Sequence, residues 1–155
     1  MIFATIGTQV PFDRFVRMLD NVCADMDEEV IVQSIGGEYE PQHLRKVDFL
    51  PPDEFNELFS RARMVVAHAG MGTILSALTQ NKPLVVVPRL SSLHEHRNDH
   101  QVGTAKRLGA LGLVHVATDE AQLRAFLLHP LTAERTIGPA ASASLIEELK
   151  GYIGE

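Results

Sequence analysis

The stretch VVAHAGMGTILSALTQNKPLVVVP, Val65 to Pro88, is the tightest constraint in the chain. It joins a strand-length apolar run, a glycine turn, a helix-length segment and a second valine run. Two strands linked through a helix lie parallel in one sheet, because the helix supplies the crossover that a parallel pair requires. The pattern recurs along the sequence. IFATI (Ile2–Ile6), EVIVQSI (Glu29–Ile35), MVVAH (Met64–His68), LVVVP (Leu84–Pro88) and GLVHV (Gly112–Val116) are the predicted strands. Their near-continuous Val, Ile and Leu content predicts burial on both faces.

Helical periodicity fills the gaps. Phe12, Phe15, Val16, Leu19, Val22, Cys23 and Met26 share a face after Pro11, a favourable first-turn residue. Phe55, Leu58, Phe59 and Ala62 do so after Asp53, the expected N-cap. A third helix is expected to follow Gly72 and stop at Asn81, and a fourth to span about Asn98 to Leu108, ending at Gly109. Two more are expected near Asp119–Leu128 and Ser142–Tyr152. The segments GGEYEPQHLRKV and HPLTAERTIGPAA read as loops. The fold class is therefore α/β, a parallel sheet with helices on both faces. Residues 1–130 form the expected binding domain, and 131–155 a loop and terminal helix suited to docking a partner. The apolar stripe of that helix is Leu145, Ile146, Leu149 and Ile153.

Composition excludes several functions. A net charge of −6 without a basic run speaks against a nucleic-acid surface. The single cysteine, Cys23, cannot form an internal disulfide, which points to a reducing, cytoplasmic setting, and it is expected to pack in the first helix. Apolar runs stay well short of the roughly 20 residues that span a bilayer. MIFATIG lacks a basic leader segment and reads as a buried strand.

Ligands of parallel sheets bind beyond the carboxyl ends of the strands. Four loops fall there: GTQVP, SIGG, HAGMGT and RLSSLHEHRNDHQ. Three are rich in Gly, Ser or Thr and can present backbone N–H groups to phosphate at a helix start; the fourth brings side-chain donors and acceptors. A nucleotide carrying a sugar matches that mixture. Plainer readings stand beside it: a tight turn for the glycines, a core position for His68, solvent or a metal for His96 and His100 at four-residue spacing. No G-x-S-x-G elbow is present, and GTQVPF lacks the G-x-G-x-x-G expected of a nucleotide-sugar epimerase. Tyr39 and Glu40 receive no role, and Asp25–Glu29 reads as a solvated turn.

Taken together, FATIGTQVPFDRFVRMLD, VVAHAGMGTILSALTQNKPLVVVPR and EHRNDHQ resemble the C-terminal, nucleotide-sugar-binding domain of glycosyltransferase family 28. Within the family the resemblance is to small stand-alone subunits: the catalytic subunit of the dolichol-linked GlcNAc transferase and bacterial exopolysaccharide subunits. It implies the Rossmann-like C-terminal half of a GT-B enzyme. It also implies a membrane-associated partner that binds a lipid-linked acceptor, inverting transfer from a UDP-sugar substrate, and neither cofactor nor metal.

By the same resemblance, Gly7, Thr8 and Gln9 face the diphosphate and the interdomain cleft. Phe49 and Leu50 meet the uracil through their backbone. His68, Ala69, Gly70, Met71, Gly72 and Thr73 cradle the diphosphate. Arg97, Asn98 and Gln101, with Glu95 and Asp99 as neighbours, contact the donor sugar. Ser76 stands where many relatives carry a ribose-binding glutamate. His68 is the candidate catalytic residue, assisting the leaving diphosphate or acting as base; a base from the partner is the alternative. A non-catalytic scaffold on the same fold is the rival reading.

Overall fold

The structure is a computed structural model that describes residues 1–7, 11–93 and 100–128. Six strands form one parallel sheet: β1 (Ile2–Thr5), β2 (Val30–Gln33), β3 (Arg45–Val47), β4 (Met64–His68), β5 (Leu84–Val87) and β6 (His115–Val116). Their spatial order is β3-β2-β1-β4-β5-β6. The order runs outward in both directions from the β1/β4 pair, and the connections on its two sides cover opposite faces. A crevice therefore opens where the two strands' carboxyl ends part.

Helices α1 (Asp13–Cys23) and α5 (Glu120–Leu128) cover one face, and α2 (Pro52–Arg61), α3 (Met71–Thr79) and α4 (His100–Ala110) the other. Alternation within single strands divides the core. Ile2 and Ala4 of β1 pack with Phe15, Leu19, Leu123 and Leu127, whereas Phe3 faces Phe59, Ile74 and Leu108. Phe3 meets Phe55 edge-on at 5.3 Å between ring centroids, and burying a side chain of this size contributes about 1.5–3 kcal/mol. The central strands are buried on both faces, as their composition predicts.

The differences from the sequence reading sit at edges and ends. β3 lies inside GGEYEPQHLRKV, which reads as a loop; it is a three-residue edge strand, Arg45–Val47, whose charged, partly exposed residues carry no buried-strand signal. The GLVHV strand contracts to His115–Val116, because Gly112 takes a positive φ of 71° and the chain is still turning out of α4. Asp53 is inside α2, not its cap; Pro52 opens that helix, where a missing N–H costs nothing. α3 starts at Met71, one residue before Gly72, and Asn81 closes its C-terminal turn at φ 54°. α4 runs past Gly109 to Ala110. The expected terminal helix and its docking stripe lie outside the described residues, as does the start expected for α4 at Asn98.

Candidate functional site

Three strand ends meet at the crevice. β1 delivers Gly7, β4 delivers His68 into the turn before α3, and β5 leads through Arg89 toward the segment that re-enters at α4. Gly7 is held at φ 82°, a conformation that disfavours every L side chain. Space forbids a side chain there as well: a Cβ on Gly7 would stand 3.0 Å from His68 Nε2, and one on Gly70 only 2.6 Å from the same atom. Gly70 has an ordinary φ of −87°, so its requirement is purely steric. The two glycines make the slot in which the imidazole lies.

Gly70 is the N-cap of α3, and no described side chain caps the helix. The first intrahelical bond is Ile74 N–H to the Gly70 carbonyl at 3.2 Å. The N–H groups of Met71, Gly72 and Thr73 precede it and lie beyond the reach of the intrahelical ladder, at the positive end of the helix dipole. A Cβ on Gly72 would meet nothing within 4 Å, so that side of the turn is open.

Gln101, near the start of α4, is 8% exposed and links the loops. Its Oε1 accepts from the Arg89 backbone N–H at 3.1 Å, and its Nε2 lies 3.3 Å from His68 Nδ1. Arg89, 3% exposed, reaches back to the β1–α1 loop. It donates to the carbonyls of Ile6 and Pro11, both at 2.9 Å, and its guanidinium sits 4.7 Å above the Phe12 ring. Arg14 crosses the other way to the Pro88 carbonyl at 3.0 Å. A second buried chain runs toward β3. Gly7 N–H donates to Thr5 Oγ1 at 3.3 Å, Thr5 Oγ1 to Gln33 Oε1 at 2.7 Å, and Gln33 Nε2 to the Asp48 carbonyl at 2.8 Å. That bond fixes the backbone just before Phe49 and Leu50; the Phe49 ring stands 65% exposed.

Of the residues singled out in the sequence, the structure brings together Gly7, His68, Ala69, Gly70, the backbone of Met71, Gly72, Thr73 and Gln101. Ser76 lies one turn along α3, half-buried, and Phe49 and Leu50 lie across β1 and β2 at the end of β3. Thr8, Gln9, Glu95, Arg97, Asn98 and Asp99 fall outside the described residues, as does His96. Among the described residues no group of three or more His, Cys, Asp or Glu could hold a metal ion, and no helix is long and apolar enough to cross a membrane. Burial, reinforced by the Asp20 carboxylate, pushes the Cys23 thiol up to about 12, which leaves it a packing residue.

Sequence reasoning passes over Thr5, Gln33, Asp20 and Arg89. The available signals were Gln33 within an otherwise apolar strand and an arginine directly after a buried strand. Tyr39, given no role there, donates to Asp20 Oδ2 at 2.6 Å. Asp25 and Glu28, read as part of a solvated turn, pair with Arg124 and Arg63.

Comparison with known proteins agrees with this architecture. The chain is 32% identical over 127 residues to the UDP-N-acetylglucosamine transferase subunit ALG13 of Mus musculus, an alignment covering 75% of this chain and 10% of that protein. The subunit of the same name from Eremothecium gossypii is 34% identical over 107 residues, covering 68% and 51%. The chain thus spans about half of one curated relative and a tenth of the other. A solution structure of ALG13 superposes with a TM-score of 0.62 at 23% identity, covering 96% of this chain and 93% of that one. The fold also superposes on 39% of the glycotransferase of kitacinnamycin and on 49% of Acinetobacter baumannii MurG, with TM-scores of 0.60 and 0.61 at 22% and 16% identity, as expected for the Rossmann-like half of a GT-B fold. The model of the glycosyltransferase family 28 C-terminal domain matches residues 1–153, and the chain belongs to that family.

Proposed function

We propose that this chain is the donor-binding, catalytic subunit of a two-subunit inverting glycosyltransferase. It would take a sugar from a UDP-sugar and pass it to a lipid-linked acceptor, in exopolysaccharide or glycolipid synthesis. One observation carries the reading: in a family 28 domain, the slot of Gly7, His68 and Gly70 and the open first turn of α3 share the crevice between β1 and β4. A diphosphate fits that site because the N–H groups of Met71–Thr73 and the helix dipole act on the charge that grows as the glycosidic bond breaks. Thr8, Gln9 and His68 add donors. Phe49 and Leu50 offer backbone groups to uracil from a segment whose position Gln33 fixes. Ser76 supplies one ribose contact, and, by the family resemblance, Glu95, Arg97, Asn98, Asp99 and Gln101 are the proposed contacts of the donor sugar. The curated relatives are named as subunits of a UDP-N-acetylglucosamine transferase, so N-acetylglucosamine is the first sugar to test. The partner subunit, membrane-associated in this reading, binds the acceptor and supplies the general base.

The test is thermal protection by UDP in the presence of a metal chelator. Stabilisation grows as RT ln(1 + [L]/Kd), reaching about 2.7 kcal/mol at a hundredfold excess over Kd. A saturable rise in melting temperature with UDP, unmatched by CMP, supports the reading. A melting temperature indifferent to millimolar UDP overturns it.

A further inference from the structure

We infer that Gln101 is a positioning residue that holds His68 in a single tautomer, with the imidazole proton on Nε2, so that His68 donates a hydrogen bond in the crevice and takes no proton there. The Arg89 backbone N–H can only donate, so the Gln101 atom 3.1 Å from it must be the carbonyl oxygen Oε1. The amide NH2 then faces His68 Nδ1 at 3.3 Å. An amide NH2 can only donate, so Nδ1 must accept. A neutral imidazole with its lone pair on Nδ1 carries its proton on Nε2.

The amide is held from turning over. Arg89 is tethered through its guanidinium to the Ile6 and Pro11 carbonyls and to the Phe12 ring, which fixes the N–H that Gln101 must meet. Reversing the amide would set two donors against each other at a site where Gln101 and Arg89 are 8% and 3% exposed, and an unpaired buried polar group is costly. Nε2 is also the nitrogen that lies against both glycines of the slot, beside the start of α3. A proton there aids a developing anion and blocks the same nitrogen from deprotonating an acceptor hydroxyl. The tautomer follows from this chain's own contacts; its use in transfer rests on the donor-site reading proposed above.

Long-range proton–nitrogen correlation spectra of the 15N-labelled chain test the two parts separately, with His68→Gln identifying the His68 signals. The wild type should show a proton-bearing Nε2 and a lone-pair Nδ1. In Gln101→Glu, one carboxylate oxygen still accepts from Arg89 while the other now requires a donor, so Nδ1 should gain a proton. Gln101→Met, which offers neither group, should give a tautomer mixture. A wild-type spectrum with the proton on Nδ1 overturns the proposal even if neither Gln101 variant folds, and so does a Gln101→Glu protein that folds with His68 unchanged. Adding UDP to the wild type then tests the use. A shifted Nε2–H signal supports it. An Nε2–H tautomer indifferent to UDP upholds the positioning role and overturns the donor-site reading.

Discussion

Two loops at the carboxyl end of the sheet are anchored by buried charges of opposite sign. The β1–α1 loop is held by Arg89, which gives N–H groups to the Ile6 and Pro11 carbonyls. The β2–β3 loop is held by Asp20, 2% exposed on α1, which accepts from Tyr39 Oη and from the backbone N–H groups of Gln42 and His43. Both solve one problem, the pairing of backbone groups in an irregular segment packed against the fold. They differ in what can release them. A guanidinium stays charged at any pH a protein survives, whereas a carboxylate titrates. The loop nearest the crevice has the anchor that does not switch.

Removing Arg89 should have the largest effect. Arg89→Met keeps much of the packing on Phe12 but leaves two carbonyls without their donors, so a loss of about 2–5 kcal/mol is expected in urea unfolding. UDP protection should also fall in whatever fraction stays folded, because Gln101 and Gly7 lose a shared support. A loss below about 1 kcal/mol would mean that water replaces the guanidinium and that the loop is not anchored as described.

Asp20→Asn should cost less, about 1–2 kcal/mol near neutral pH, because the loop it serves is closer to solvent. Its signature is the pH dependence. Burial alone would raise the Asp20 carboxyl, yet the hydrogen bonds from Tyr39, His43 and Gln42 prevail and hold it below its ordinary 3.8. A carboxyl depressed by folding contributes its full stability above the unfolded value and loses it as pH falls through the lower folded one. The wild type's advantage over Asp20→Asn should therefore be constant above about pH 5 and shrink below pH 4. Glu28, also lowered, chiefly by its hydrogen bond with Arg63, loses stability on acidification too and persists in the variant. Only part of the acid sensitivity should disappear. An advantage that grows on acidification would contradict the anchoring.

The same contrast explains what the sequence reveals. β4 is legible to the residue, Met64–His68, because a run buried on both faces advertises itself in local composition. That Gly7, His68 and Gly70–Thr73 share the crevice is legible because they are contiguous with strand ends. The anchors are not. Arg89 serves a carbonyl 83 residues away and Gln33 Oε1 a hydroxyl 28 residues away, distances at which periodicity carries no information. β3 escapes notice for a different reason: an edge strand of Arg, Lys and Val needs no apolar run, only β2 to pair with. Gln101 is found by resemblance as a sugar contact, but its bonds to His68 and Arg89 emerge only when three loops are folded together.

Within the cradle itself, Gly70→Ala should separate site from scaffold. The backbone tolerates alanine at φ −87°, so the cost comes from the imidazole it displaces. A loss of about 1–2 kcal/mol of stability is expected from a misplaced half-buried ring, together with a large loss of UDP protection. Retained protection with the ring displaced would remove His68 from the ligand's surroundings.

Gly72→Asp should show the smallest change in stability, and with the opposite sign. Gly72 is the second residue of α3, and a side chain there meets open space. Replacing glycine within a helix relieves an entropic cost, and an aspartate in the first turn faces the positive end of the dipole, worth about 0.3–1 kcal/mol. The unliganded variant should melt at or slightly above the wild-type temperature. The substituted carboxylate sits where the proposed diphosphate would, so UDP should no longer protect the variant. A structural turn with no anion site predicts the first result without the second. Equal protection of wild type and variant by UDP would place the nucleotide elsewhere on the sheet, and the open first turn of α3 would lose its role.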